Sequence, residues 1–305
     1  MENINNGKND LIDIINNSDR IPVFVDLNNL LYRSYFVFTP DRFKTSQGIP
    51  SGHLFGLCQT LRTLDKLNYE VFLCEDSPCD WRKTLNENYK SNRDHSNNIS
   101  FWKDFQKIRD LISNLNHFHT MTGIGCEADD LMFTGAKICS KLNRKCYIFS
   151  TDKDLLQALD ENVSIIHKVT LKGNEEITLN SPEYIEKFPI EPAKLPYYRA
   201  FKGDTSDNIE PPIKRMPKDL ILDLVDYLYE HDNFKGYIIK KKSHEKWLKQ
   251  LVDNFDKYIA NYTIMRLRPV NFTILQKSEL NSYEKICKEY ELNQFYNYIK
   301  ELDSI

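Results

Sequence analysis

The sequence holds little glycine and proline, 10 and 12 among 305 residues. That excludes a collagen-like repeat and a globally disordered chain rich in these two residues. No apolar run approaches the ~18 residues a membrane-spanning helix needs, so no membrane segment is expected. There is no paired CxxC: the seven cysteines are odd in number and scattered, and Cys74/Cys79 and Cys139/Cys146 lack zinc-ligand spacing. Reduced thiols in a cytosol-like compartment are the expectation. The first ten residues, MENINNGKND, show no basic-then-apolar leader. Nor is there an excess of basic residues. The net charge is −3, which taken over the whole chain argues against a nucleic-acid partner, but such a sum misleads where acids are concentrated in one place. What is present is 41% hydrophobic and 28% charged residues, in a chain long enough for one large or two ordinary domains with buried cores.

Residues 1–18 read as a flexible polar tail. Short apolar runs then alternate with helical patterns. IPVFVD (21–26), VFLCED (71–76) and CYIFSTD (146–152) are buried-strand candidates. GHLFGLCQTLRTLDKLN (52–68), FWKDFQKIRDLISNLN (101–116) and EADDLMFTGAKICSKLN (127–143) carry helical spacing. A hairpin is expected over 163–179, with Lys172-Gly173-Asn174 as its turn. This order predicts an α/β domain over 19–180, built on a mostly parallel sheet flanked by helices. From Ser181 the pattern turns helical: 181–188 opens with Ser181 and Pro182 at cap and first-turn positions, 217–230 and 244–267 are amphipathic, and a pair closes the chain, which predicts a helical domain over 181–305.

Three expected strands end in acids: Asp26, Glu75/Asp76 and Asp152. Ligands bind outside the carboxyl ends of such strands. One such acid is ordinarily a turn residue or helix cap; three on one edge are a pattern. Glu127, Asp129 and Asp130 open a helix, more charge than its dipole calls for. Asp152 and Asp154 lie two apart, and Asp204 and Asp207 about one helical turn apart. Converged, the set Asp26, Asp76, Glu127, Asp129, Asp130, Asp152, Asp154, Asp204 and Asp207 demands cations. Oxygen ligands without His or Cys select Mg²⁺, with Mn²⁺ as a substitute. Nine acids exceed one shell, so two ions about 3.5–4 Å apart are expected. Setting these acids aside, the rest of the chain carries a net charge of about +6 against the total of −3, and an anionic substrate fits. The segment WRKTLNENYKSNR (81–93) interleaves Arg82, Lys83, Lys90 and Arg93 with Trp81 and Tyr89. Cations there can hold phosphates and aromatics can stack unpaired bases. Tyr32 and Arg33, one to two turns beyond Asp26, can bring a further ring and cation near the acids.

Together, Asp26-Leu-Asn-Asn-Leu-Leu-Tyr-Arg33, WRK…NYKSNR, EADD (127–130), STDKDLLQ (150–157) and FKGDTSDNI (201–209) resemble, in order, the motifs of the 5′→3′ exonuclease and flap endonuclease family, and its bacteriophage branch, phage ribonuclease H included, most of all. The match runs over roughly residues 21–210. The resemblance implies a PIN-like nuclease domain with two Mg²⁺ ions, a helical arch at about 81–100 that admits 5′ single strands, and a helical duplex-binding domain. It assigns Asp26, Asp76, Glu127 and Asp129 to one metal cluster and Asp130, Asp152, Asp154, Asp204 and Asp207 to the other, with Asp129 bridging. Lys90 and Arg93 match the basic pair facing the scissile phosphate, and Tyr32 an aromatic on which the terminal base stacks.

Two departures stand out. CEDSPCDW leaves Glu75 and Asp76 as alternative ligands. After GDTSDNI, the helix–hairpin–helix region (203–225) reads EPPIKRMPKD, with prolines where the family has glycines whose amides bind phosphate. That counts against a K⁺ site and leaves Lys214, Arg215 and Lys218 as electrostatic contacts.

The resemblance implies a phosphodiesterase acting on DNA with 5′ flaps or single-stranded 5′ ends and on RNA–DNA hybrids. Its expected role is primer or flap removal in replication, as a monomer in the cytoplasm, that of the host if the source is viral, beside replication proteins. The rival readings are a PIN-like ribonuclease, a catalytically silent branched-DNA-binding module, and a small-molecule phosphatase.

Overall fold

The structure, a computed structural model, describes residues 6–38, 43–92, 107, 111–112, 115–171, 173–179, 181, 184, 190–231, 233–234, 236–238, 241–275 and 282–303. In chain order its elements are α1 (Asn6–Asn17), β1 (Ile21–Asp26), α2 (Leu27–Val37), α3 (Gly52–Lys66), β2 (Tyr69–Cys74), α4 (Asp80–Leu85), β3 (Phe118–Thr122), α5 (Ala128–Lys141), β4 (Cys146–Phe149) and a 3₁₀ turn (Asp154–Ala158). There follow β5 (Val163–Thr170), β6 (Gly173–Ile177), α6 (Leu195–Lys202), α7 (Lys218–His231), α8 (Glu245–Asp253), α9 (Phe255–Met265), β7 (Thr273–Ile274), α10 (Ser282–Glu289) and α11 (Asn293–Asp303).

The seven strands form one sheet in the order β6-β5-β4-β1-β2-β3-β7. The five inner strands are parallel, and β6 and β7 close the edges antiparallel. Helices cover both faces, as buried runs such as Val23-Phe24-Val25 require. From β1 the chain steps outward to β2 and β3, then returns to the other side of β1 for β4 and β5. The connections leaving β1 and β4 therefore diverge, opening a crevice at the carboxyl ends of these two neighbours. Helix α5 lies close on β1 because Gly135 faces Phe24: a Cβ there would sit 2.1 Å from Phe24 Cε1.

The expected α/β class with a helical region is present, and several boundaries are corrected. Within the segment expected as a flexible tail, Asn6–Asn17 form helix α1, whose Leu11 and Ile15, one turn apart, are fully buried. Its many asparagines hide that stripe. In the hairpin, Gly173 already pairs with Thr170, so Gly173 and Asn174 belong to β6 and the turn comes earlier. The stretch 244–267 is two helices, α8 and α9, parted at Asn254. Nor are residues 181–305 one separate helical domain. A helical lobe spans α6 to α9, after which β7 joins the sheet beside β3. Helices α10 and α11 then bury Ile286, Phe295 and Ile299 in the same core as Leu57 and Leu61 of α3. The helices expected over 101–116 and 181–188 lie largely outside the described residues, as do Arg93 and the far part of the arch segment.

Candidate active site

Asp26 ends β1 and caps α2, accepting the Asn29 amide at 2.8 Å. Asp76 follows β2 and accepts the Ala128 amide at the start of α5 (2.8 Å) and Asn28 Nδ2 (2.8 Å). Asp76, not the buried Glu75, is thereby tied to α2 and α5. Glu127 caps α5, and Asp129 stands in its first turn. Asp152 follows β4 and accepts the Asp154 amide at 2.8 Å. The connections after β1, β2, β3 and β4 thus bring Asp26 within electrostatic reach of Asp76 and Asp152, and Asp129 within reach of Asp26 and Asp152. Burial first, then Asp76 and Asp152, pushes Asp26 up to about 7. Burial, then Asp152 and Asp26, holds Asp129 well above the usual carboxylate range.

The second group is built from the turn after β4 and the loop after α6. Gly203 ends α6 at φ 69, and a Cβ there would meet the Ile209 carbonyl at 2.5 Å. The turn lets Asp204 and Ile209 exchange two backbone hydrogen bonds of 2.7 Å each. Asp204 accepts the Ser206 amide at 2.8 Å and lies against Arg199, which also donates from Nε to Asp154 Oδ1 at 2.8 Å. Burial, opposed by Arg199 and assisted by Asp152, raises Asp154 to about 7. Asp204, though partly buried, stays below its usual value through Ser206 and Arg199. Asp152 acts on Asp26, Asp129 and Asp154 alike, so it, and not Asp129 alone, links the two groups. The Asp207 carbonyl accepts the Lys90 amide at 3.0 Å, which fastens the basic segment to this loop.

Three expectations are corrected here. Asp130 is buried against Arg82, taking both Nη2 contacts at 3.0 and 2.8 Å and receiving the Glu127 amide. Its carboxylate is thus engaged by three hydrogen bonds within the fold. Arg82 is itself 1% exposed and also donates to the Ile264 carbonyl, so it is an internal strut and not a phosphate ligand. Tyr89 is 5% exposed and donates to Glu127 at 3.0 Å, so its ring is not offered to a base. Lys90 reaches Glu127 at 2.7 Å. Lys90 and Arg82 together keep Glu127 below its usual range despite burial. Tyr32 is half-buried against the sheet core, while Arg33 is exposed with its guanidinium over the Phe149 ring at 5.5 Å. Lys83, Lys214, Arg215 and Lys218 are exposed, the last three on the loop before α7 and at its start. Arg215 takes φ 61, so the loop after GDTSDNI keeps a left-handed turn without the missing glycine. Sequence reasoning missed Arg199 and Asn28. Arg199 lies four residues before Gly203 on the preceding helix, which was the available signal.

A cleft of about 870 Å³ opens beside the second group, lined by Lys153, Arg199, Lys202 and Lys214 as well as Asp152 and Asp204. Among the described residues no three acids already meet in a finished ligand shell. The donors nevertheless fit a hard divalent cation. They are carboxylate oxygens whose mutual repulsion is only partly offset, and Asn28 Oδ1 beside them is buried without a hydrogen-bond partner.

The sequence model described as "5′-3′ exonuclease, N-terminal resolvase-like domain" matches residues 22–188, more than half of the chain. The chain belongs to the 5′-3′ exonuclease family. A 5′-3′ exonuclease of Mycoplasmopsis pulmonis is 33% identical over 62% of this chain and 60% of its own length. A DNA polymerase I of Chloroflexus aurantiacus is 27% identical over 93% of this chain, which spans 31% of that relative. The bacteriophage T5 flap endonuclease, solved with DNA and metal ions, shares the fold at TM-score 0.60 and 16% identity, over 94% of this chain and all of that one. Both of these sequence relatives are bacterial, which corrects the expected bacteriophage branch; the phage likeness is one of fold.

Proposed function

We propose that this 5′-3′ exonuclease family member is a metal-dependent phosphodiesterase. It cleaves DNA or RNA-primed DNA from 5′ ends and at 5′ flaps, leaving 5′-phosphate and 3′-hydroxyl products. The observation that carries the reading is the gathering of Asp26, Asp76, Asp129 and Asp152, from four chain segments, at the point where the strand order reverses, beside Lys90. Asp26, Asp76, Glu127 and Asp129 would hold one Mg²⁺ and Asp152, Asp154, Asp204 and Asp207 the second, with Mn²⁺ as a substitute. When bound, such ions lower the pKa of the attacking water and offset charge at the scissile phosphate. Lys90 supplies the positive charge that meets the phosphoryl oxygens as theirs builds. Lys153, Lys202 and Lys214, on the cleft wall, hold flanking phosphates. An arch for single strands over about 81–100 is part of the proposal, its far part lying outside the described residues. A replication setting, in primer or flap removal, draws support from the polymerase relatives. A K⁺ site is not part of the proposal.

Digestion of 5′-labelled flap, nicked and RNA-primed duplexes, with and without Mg²⁺, tests this reading. Short labelled products are expected only with the metal. Preferential cutting of plain single-stranded RNA would instead indicate a PIN-like ribonuclease. Tight flap binding without cleavage would indicate a silent module.

A further inference from the structure

The two groups of acids differ in how their charge is met. In the first, Lys90 stands beside the acids and reaches Glu127 at 2.7 Å. In the second, a single guanidinium spans two acids from distant segments: Arg199 Nε lies 2.8 Å from Asp154 Oδ1, and Arg199 Nη2 contacts Asp204 Oδ2. The three side chains are largely dry, at 13%, 16% and 17% exposure, so water meets little of their charge. A planar guanidinium can bridge two carboxylates at fixed geometry, which an ammonium does poorly. Arg199 also lines the cleft of about 870 Å³ with Lys153, Lys202 and Lys214, so a displaced guanidinium has room and an anion-facing wall to move to.

Resting on the metal-dependent reading above, we infer that Arg199 is a positioning residue that stands in for a divalent cation between Asp154 and Asp204. Loading of the second ion displaces its guanidinium into the cleft, where it faces the substrate phosphates. The ions therefore bind in two unequal steps, the second competing with Arg199.

The test is a calorimetric titration with Mg²⁺ alone of the full chain, its Arg199→Gln variant and its Arg199→Lys variant, without nucleic acid and at mildly alkaline pH. Thermal melts in chelator and in Mg²⁺ accompany it. Arg199→Gln is expected to tighten the weaker step by about five- to tenfold, the size of a partly buried ion pair removed from competition. Arg199→Lys should do so by less. The metal-free Tm should fall in the Gln variant and its rise on adding Mg²⁺ should exceed that of the wild type. A second step that is unchanged or weaker in both variants overturns the inference while leaving the metal-dependent reading intact. Absence of Mg²⁺ binding to the wild type overturns both. If the Gln variant does not fold, the Lys variant decides by the same criterion.

Discussion

Each end of the parallel sheet holds carboxylates drawn wholly or partly out of water, and the two ends treat them oppositely. At the amino end, Glu70 of β2 is 3% exposed and receives the Ser18 hydroxyl at 2.6 Å. It also lies 2.6 Å from His119 Nε2 and 3.2 Å from His117 Nδ1. Despite burial, those partners hold it down to about 2. At the carboxyl end, Asp26 is half-buried beside the exposed Asp76 and Asp152, and desolvation with their like charge pushes it up to about 7. Burial alone does not mark a functional acid. Burial among like charges does, because the fold then leaves a charge for something else to neutralise.

The sharpest way to break this comparison is to neutralise an acid at the carboxyl end. Asp129→Asn and Asp152→Asn should each lower turnover by about 10³-fold or more while sparing flap binding in gel-shift assays. Near-wild-type turnover in either would remove the site from this edge. Lys90→Ala should lower kcat by about 10²-fold with a much smaller change in affinity; a loss confined to affinity would make Lys90 a docking residue.

At the amino end the expected effect is on stability. Glu70→Gln should cost about 1–3 kcal/mol in denaturant titrations and leave cleavage unchanged.

The two ends should also differ in pH dependence without metal. Asp26 keeps its proton in the folded state up to about 7, whereas the unfolded chain releases it near 3.8. Stability should therefore fall as pH rises through that window, and Asp26→Asn should flatten the fall. Glu70 works the other way. Its contribution is full above 4.5 and is lost as pH drops toward about 2, a loss that Glu70→Gln should abolish. Thermal melts across pH read both slopes, and equal signs would dissolve the contrast.

The smallest effect belongs to the exposed Lys214. Its replacement by Ala should weaken flap binding slightly and reduce the slope of log affinity against log salt by about 1.

Much of the fold was legible in the sequence because buried parallel strands and amphipathic helices write their periods plainly: β1, β4, α3 and α5 fall on the expected runs. β3, with His119 and Thr120 among its five residues, and the two-residue β7 carry no such signal. The acids at the strand ends were legible for the same reason, since β1 and β4 point them to one edge. The functions of Arg82, Tyr89 and Asp130 were not. The spacing of Arg82 and Tyr89 suits a solvated basic face and that of Asp130 a cluster of acids, and only the packing of the tertiary structure turns Arg82 inward to Asp130 and the Ile264 carbonyl.

By itself, then, the order of residues determined strands β1, β2 and β4, helices α3 and α5, the parallel character of the sheet and most of the acids at its carboxyl edge. Local hydrophobic period and strand polarity suffice for these. Tertiary structure alone decided which charges meet. It placed Arg199 between Asp154 and Asp204, withdrew Asp130 behind Arg82, and left Asp26 and Asp129 facing other carboxylates. Electrostatic pairing depends on distance through space, and segments well separated in the chain, more than a hundred residues for Asp26 with Asp129 and Asp152, set those distances here.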